Sequence, residues 1–162
     1  MTNLETSLNK PSTPIPKRVV WFFAFFSFVG FLDATYLAVK HYLGTPVNCS
    51  IFEGCEKVTT SQYATLGGVP VALLGAIYYF LIFILVIAYL DTKKERVLYF
   101  TARLTPIGLL ASLWFLYLQL FVIKAICFYC MISAITSTML FIFGIILLRL
   151  KGRTTVNKSY IV

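Results

Sequence analysis

Four cysteines fall into two pairs, Cys49 with Cys55 and Cys127 with Cys130. Cys127-Phe128-Tyr129-Cys130 is a CxxC motif placed where a short polar turn becomes a long apolar run. Two thiols three positions apart on a helix share a face and can close into a disulfide. Cys49 and Cys55 lie in the only long loop between hydrophobic segments. Two dithiols in one chain suggest electrons handed from one to the other by exchange, in which a thiolate attacks a disulfide sulfur. Two static disulfides clamping a lobe, or a four-cysteine zinc site, are the competing readings. A CxxC bridge closes a very small loop and gains little chain entropy, which makes it a poor clamp.

The elements that position these thiols are membrane helices. The 162 residues have a mean hydropathy of +0.85 and only 12% charge. About a quarter of a soluble domain is charged, so this composition excludes one. A span needs about 20 apolar residues, and segments 19–39, 71–90, 98–123 and 125–148 qualify. The expectation is an all-α membrane protein, a four-transmembrane-helix bundle with an outer loop containing a short helix. Pro106 should kink the third span. Spans three and four are joined by little more than Lys124, which makes them antiparallel neighbours.

The net charge of +8 is a matter of topology rather than of nucleic acid. Lys10, Lys17 and Arg18 precede the first span, Lys93, Lys94 and Arg96 separate the second and third, and Arg149, Lys151, Arg153 and Lys158 follow the fourth. The opposite side carries only Lys40, Lys57 and Lys124. The positive-inside rule puts both termini in the cytoplasm. The division is a tail 1–18, a membrane domain 19–150 with outer loop 40–69 and cytoplasmic loop 91–97, and a tail 151–162. Parity then gathers all four cysteines on the outer face of a bacterial cytoplasmic membrane, where disulfides persist. That face, and the depth of Cys130 in the membrane, count against zinc. The first span lacks a clear small-residue cleavage site, which argues against a signal peptide.

Within the outer loop, 56–66 should form a short helix lying on the bundle with Val58, Tyr63 and Leu66 on one buried stripe. The start of the fourth helix, with its unpaired amides, favours a thiolate, and Lys124 one turn earlier adds to this. Cys127 should be the more exposed sulfur and Cys130 the deeper one, facing the bundle interior. An electron-rich sulfur at that depth suits a lipid-soluble acceptor, a quinone.

These residues resemble the vitamin K epoxide reductase family, specifically its bacterial homologues. The likeness covers almost the whole membrane core, from about the first span to the fourth. Its most specific piece is Cys55-Glu-Lys-Val-Thr-Thr-Ser61 followed by Leu66-Gly-Gly-Val-Pro70, with the CxxC at the outer start of the last span. The resemblance implies a four-helix bundle around a quinone, ubiquinone or menaquinone, with no metal. It implies that Cys130 contacts the quinone, that Cys127 is its disulfide partner, and that Cys49 and Cys55 shuttle electrons from a thioredoxin-fold, DsbA-like protein. Ser61 would lie near a quinone carbonyl. Many bacterial members carry a fused thioredoxin-like domain, whereas only a short basic tail follows Leu150 here, so the partner is expected in trans. Animal members have a tyrosine four residues after the second CxxC cysteine. Ala134 stands there in this chain, which favours plain quinone reduction over epoxide reduction.

Other polar residues in the spans are candidates as well. Asp33 is ionisable within the first span and so a functional candidate, for proton delivery or quinone binding. Gln119 suits an interhelical hydrogen bond. His41 is the only histidine. Trp114, Tyr117 and Phe121 are candidate walls of the quinone site, and most aromatics between Trp21 and Phe28 should face lipid. Ala72, Gly75, Ala76, Ser133, Ala134 and Ser137 should let helices approach closely.

Overall fold

The computed structural model describes residues 16–45, 47 and 54–159, the last ten by backbone alone. Cys49 lies outside the described residues. Helix α1 (Lys17–Tyr42) is followed by the short α2 (Gly54–Thr59), a 3-10 turn (Gln62–Ala64) and a two-stranded hairpin, β1 (Thr65–Leu66) with β2 (Val69–Pro70). Then come α3 (Val71–Thr92), α4 (Glu95–Tyr117) with a π-helical continuation (Leu118–Ile123), and α5 (Phe128–Ser159). Four helices are long and apolar enough to cross a membrane, Lys17–Tyr42, Val71–Thr92, Glu95–Ile123 and Phe128–Arg149. The chain is a multi-pass membrane bundle, as its composition requires.

The helices form a closed ring, α1 against α3, α3 against α4, α4 against α5 and α5 against α1. The four-residue link 124–127 makes α4 and α5 antiparallel neighbours. Each helix is apolar nearly all round, because its outer side meets lipid rather than water. Trp21 (73% exposed) and Leu110 (67%) point outward, while Phe23, Ile82, Leu98 and Leu140 are fully enclosed.

The close approach falls at Gly30, which is not among the small residues expected to allow one, rather than at Gly75, which is. A Cβ added at Gly30 would stand 2.6 Å from the Tyr79 ring, whereas one at Gly75 would stand 3.6 Å from the Ala34 Cβ. Tyr79 crosses the bundle diagonally from α3 to α5. Its hydroxyl lies 2.8 Å from the Ser133 carbonyl and 3.0 Å from each of the Ser133, Thr136 and Ser137 hydroxyls. In lipid no water can satisfy such groups, so each finds its partner on another helix.

Pro106 does not interrupt α4. Proline cannot donate to the carbonyl four residues earlier, which is Ala102. The Thr105 hydroxyl donates to that carbonyl instead, at 2.8 Å. Gly144 leaves room for it, since a Cβ there would lie 2.6 Å from Thr105 Oγ1.

Two expectations change. The loop helix is shorter than 56–66. The hydroxyls of Thr59, Thr60 and Ser61 bond back to carbonyls three or four residues earlier, a competition that favours helix ends. Gly67 and Gly68, at φ 59° and 83°, then form the hairpin turn for which two positive φ values are needed. Only Val58 of the expected stripe is buried, and Tyr63 and Leu66 are exposed. In addition, α5 runs on to Ser159, beyond the expected end of the fourth span, although its membrane-capable part stops at Arg149.

Gly30→Ala should destabilise the bundle by about 1–3 kcal/mol, the usual cost of overpacking. Gly75→Ala, which meets only an ordinary contact, should be close to neutral. Thermal unfolding of the two variants in detergent checks this contrast.

Candidate active site

The site is built on the link between α4 and α5. Lys124 adopts a left-handed conformation at φ 52° and caps the π-helical turn through a bond from its N–H to the Gln119 carbonyl. The Ala125 N–H donates to the same carbonyl at 3.1 Å. The Gln119 side chain completes the anchor. Its Oε1 accepts the Cys127 N–H at 2.9 Å, in a buried position. Because the donor is a backbone N–H, the amide can present only its oxygen there. The sequence suggested an interhelical role for Gln119, and the structure gives it a definite one, holding the first CxxC residue.

Cys127 is the N-cap of α5. Its carbonyl accepts the Met131 N–H at 3.1 Å, and its sulfur takes hydrogen bonds from the Tyr129 and Cys130 N–H groups. Those are two of the helix's orphan donors. The hydrogen bond from the Cys130 thiol, opposed by burial and helped by these two amides, brings the Cys127 thiol down to about 7. Lys124 turns the chain and is not among the groups that lower Cys127.

Both CxxC sulfurs are free thiols. Cys55 is disulfide-bonded, and its partner lies outside the described residues. Cys55 (1% exposed) and Cys127 (0%) share one buried cluster with Leu37, Val47 and Val58. Cys127 is therefore fully enclosed as a residue, with Cys55 and Val58 of α2 packed in the same cluster. Cys130, one turn further into α5, keeps an accessible face. The sequence reading expects Cys127 to be exposed, and its full enclosure is the difference from that reading.

Asp33 comes to the same place. It is buried on α1 within electrostatic reach of Cys127 and Cys130. Neither carboxyl oxygen has a hydrogen-bond partner among the described residues. One turn further along α1, Tyr36 is hydrogen-bonded to Tyr129, with ring centroids 5.0 Å apart. Sequence reasoning missed that tyrosine pair. Its only signal was the spacing of Tyr36 from Asp33 on one helix face.

Ser61 is half-buried beside α2, and its hydroxyl donates to the Val58 carbonyl at 2.8 Å. His41 stays at the end of α1, edge-on to Tyr42. Trp114, Tyr117 and Phe121 do not wall the site. They stack on one another at 6.1 and 5.1 Å along an outward face of α4 and its π-helical end, each at least 50% exposed, so in a membrane they meet lipid.

The model of the vitamin K epoxide reductase family matches residues 21–145, most of the chain. The chain belongs to this family. It is thus an integral membrane oxidoreductase of a family that couples thiols to quinones, and the CxxC of the matched region is the pair just described. No curated protein matches it.

The reduced CxxC should show a thiolate absorbance that rises with pH around a midpoint of about 7. Cys130→Ala removes the thiol that donates to Cys127 and should move this midpoint upward. An unchanged midpoint would remove the Cys130 hydrogen bond from the account. Gln119→Leu leaves the buried Cys127 N–H unpaired and should cost about 1–3 kcal/mol of stability, read as a fall in Tm.

Proposed function

We propose that this protein oxidises a thioredoxin-fold, DsbA-like dithiol protein at the outer face of a bacterial cytoplasmic membrane and passes the electrons to a membrane quinone. The observation that carries the reading is the burial of Cys55 and Cys127 in one cluster, with Asp33 within electrostatic reach of Cys127. Both termini would be cytoplasmic, as the lysine and arginine distribution requires.

The relay has three balanced steps. A thiolate of the partner attacks the loop disulfide that includes Cys55; the partner becomes oxidised and the loop becomes a dithiol. A loop thiolate then attacks the Cys127–Cys130 disulfide. The loop disulfide re-forms and the CxxC gains two electrons and two protons. The shared cluster favours Cys55 as the attacking cysteine and Cys127 as its target. This attack expels Cys130, and the low thiol value of Cys127 helps at the following stage, when the second loop thiolate closes on Cys55 and Cys127 is the leaving group, since a thiol of lower pKa leaves faster. The pattern of a bonded Cys55 and free Cys127 and Cys130 corresponds to the stage after this second step.

A bound quinone supplies a two-electron, two-proton acceptor, ubiquinone or menaquinone. The residues present fit such a group. Asp33 offers two buried carboxyl oxygens that lack partners, and a buried polar group needs one. Cys130, partly exposed as a residue, is within electrostatic reach of Asp33. In the third step Cys130 gives up its proton and the electron pair while the Cys127–Cys130 disulfide re-forms, and Asp33 relays a proton inward from the side of Tyr36 and Tyr129. Ser61 is a candidate hydrogen-bond donor to a carbonyl oxygen, at the expense of its bond to Val58.

The test is loss of quinone absorbance when purified protein in detergent receives a reduced thioredoxin-fold protein. Cys130→Ser should abolish it, and Asp33→Asn should slow it by about 10²-fold, the order expected for a missing proton relay. Full turnover by Cys130→Ser would refute the relay.

A further inference from the structure

Gly54 lies immediately before the loop cysteine Cys55. A Cβ at Gly54 would stand 2.7 Å from the Ile126 carbonyl oxygen, 2.9 Å from the Ile126 nitrogen and 3.2 Å from the Ala125 Cβ. Ordinary contacts of this kind are about 3.5–4.0 Å. Helix α2 therefore docks backbone to backbone on the two residues that precede Cys127. Most obstacles of this kind are flexible side-chain ends that can swing aside, whereas here two of the three atoms belong to the main chain. That main chain is held from within by Gln119, which accepts the Lys124 and Ala125 N–H groups on its carbonyl and the Cys127 N–H on its side chain. The turn cannot retreat without breaking those bonds, so any side chain at Gly54 must push α2 outward.

Gly54 is not needed for its conformational freedom. The glycines with positive φ are Gly44, Gly67 and Gly68. An alanine at 54 is free of backbone strain of that kind, and the contact with Ala125 and Ile126 is what excludes it.

We propose that Gly54 is a positioning residue for electron transfer between the two cysteine pairs. The absence of its side chain lets α2 seat on the 125–126 backbone, which brings Cys55 into the buried cluster of Cys127 and seals both from solvent. The inference rests on the relay proposed above. The step it serves is the attack of a Cys55 thiolate on the Cys127–Cys130 disulfide. In it the Cys127–Cys130 bond breaks, an intermediate Cys55–Cys127 bond forms, and closure of the loop disulfide then leaves the CxxC as a dithiol. Exchange needs the attacking sulfur in line and in contact, and a misplacement of about 1 Å can cost about 10²-fold in rate.

A single-turnover experiment separates this role from a structural one. Protein with both pairs fully reduced is mixed with excess ubiquinone analogue. The first equivalent of quinol comes directly from Cys127 and Cys130. The second requires the loop dithiol to reduce the re-formed CxxC disulfide. Gly54→Ala should keep the first phase at its normal rate, which also shows the bundle intact, and slow the second by about 10²-fold. Gly54→Val should abolish the second. Gly75→Ala is the control and should leave both phases unchanged. In a Cys130→Ser background, the yield of trapped Cys55–Cys127 mixed disulfide should fall when Gly54→Ala is added. Two unchanged phases in Gly54→Ala, or equal loss of both, overturn the proposal. No quinol from the unsubstituted protein refutes the relay itself, and the inference falls with it.

Discussion

The bond from the Cys127 N–H to Gln119 Oε1 is the constraint on which the site depends. The last turn of a helix leaves carbonyls unpaired and the first turn of the next leaves N–H groups unpaired. Where the link is packed beneath α2 and Cys127 is fully buried, little water reaches either set. Gln119 meets both demands at one point. Its carbonyl closes the π-helical end of α4, and its side chain opens α5. The Cys127 sulfur, in the N-cap position, completes the account by taking the next amides. A thiol placed there for reasons of hydrogen-bond satisfaction is also a thiol tuned toward the thiolate.

The rest of the bundle serves this arrangement by being rigid and dry. Tyr79 ties α3 to α5 across the interior through three hydroxyls and a carbonyl. Thr105 and Gly144 repair the gap that Pro106 leaves. Such pairings hold the helices at fixed distances where lipid provides no hydrophobic drive for association. Against that background Asp33 stands out. Among the described residues its two carboxyl oxygens, and the Thr35 hydroxyl two positions on, are the buried side-chain polar atoms left without a hydrogen-bond partner, and such groups call for an explanation other than stability.

Much of the architecture was legible in the residues. Four long apolar runs allow no fold but a spanning bundle, and the Lys124 turn admits no relation between α4 and α5 other than antiparallel contact. The CxxC at a helix start is likewise readable, since the periodicity of a helix and the polarity of its ends follow from local chemistry. The loop was harder. A stripe drawn through Val58, Tyr63 and Leu66 follows helical spacing, but the hydroxyls at 59–61 and the glycine pair at 67–68 compete locally, and spacing does not show which wins. The stacked face of Trp114, Tyr117 and Phe121 failed as a wall for a related reason. In a membrane helix apolar on every side, hydrophobicity does not tell inside from outside.

The sequence by itself determined that this is a membrane protein built as a four-helix bundle with a CxxC at the start of its last span, because hydropathy and cysteine spacing are both properties of the linear chain. Only the tertiary structure decided that Cys127 is sealed. Cys127 lies at the very end of the helix, yet it is fully buried, because α2 folds back over it and Gly54 lets that helix rest on the backbone of the turn. Burial of that kind depends on a contact between residues more than 70 positions apart, and no local pattern encodes it.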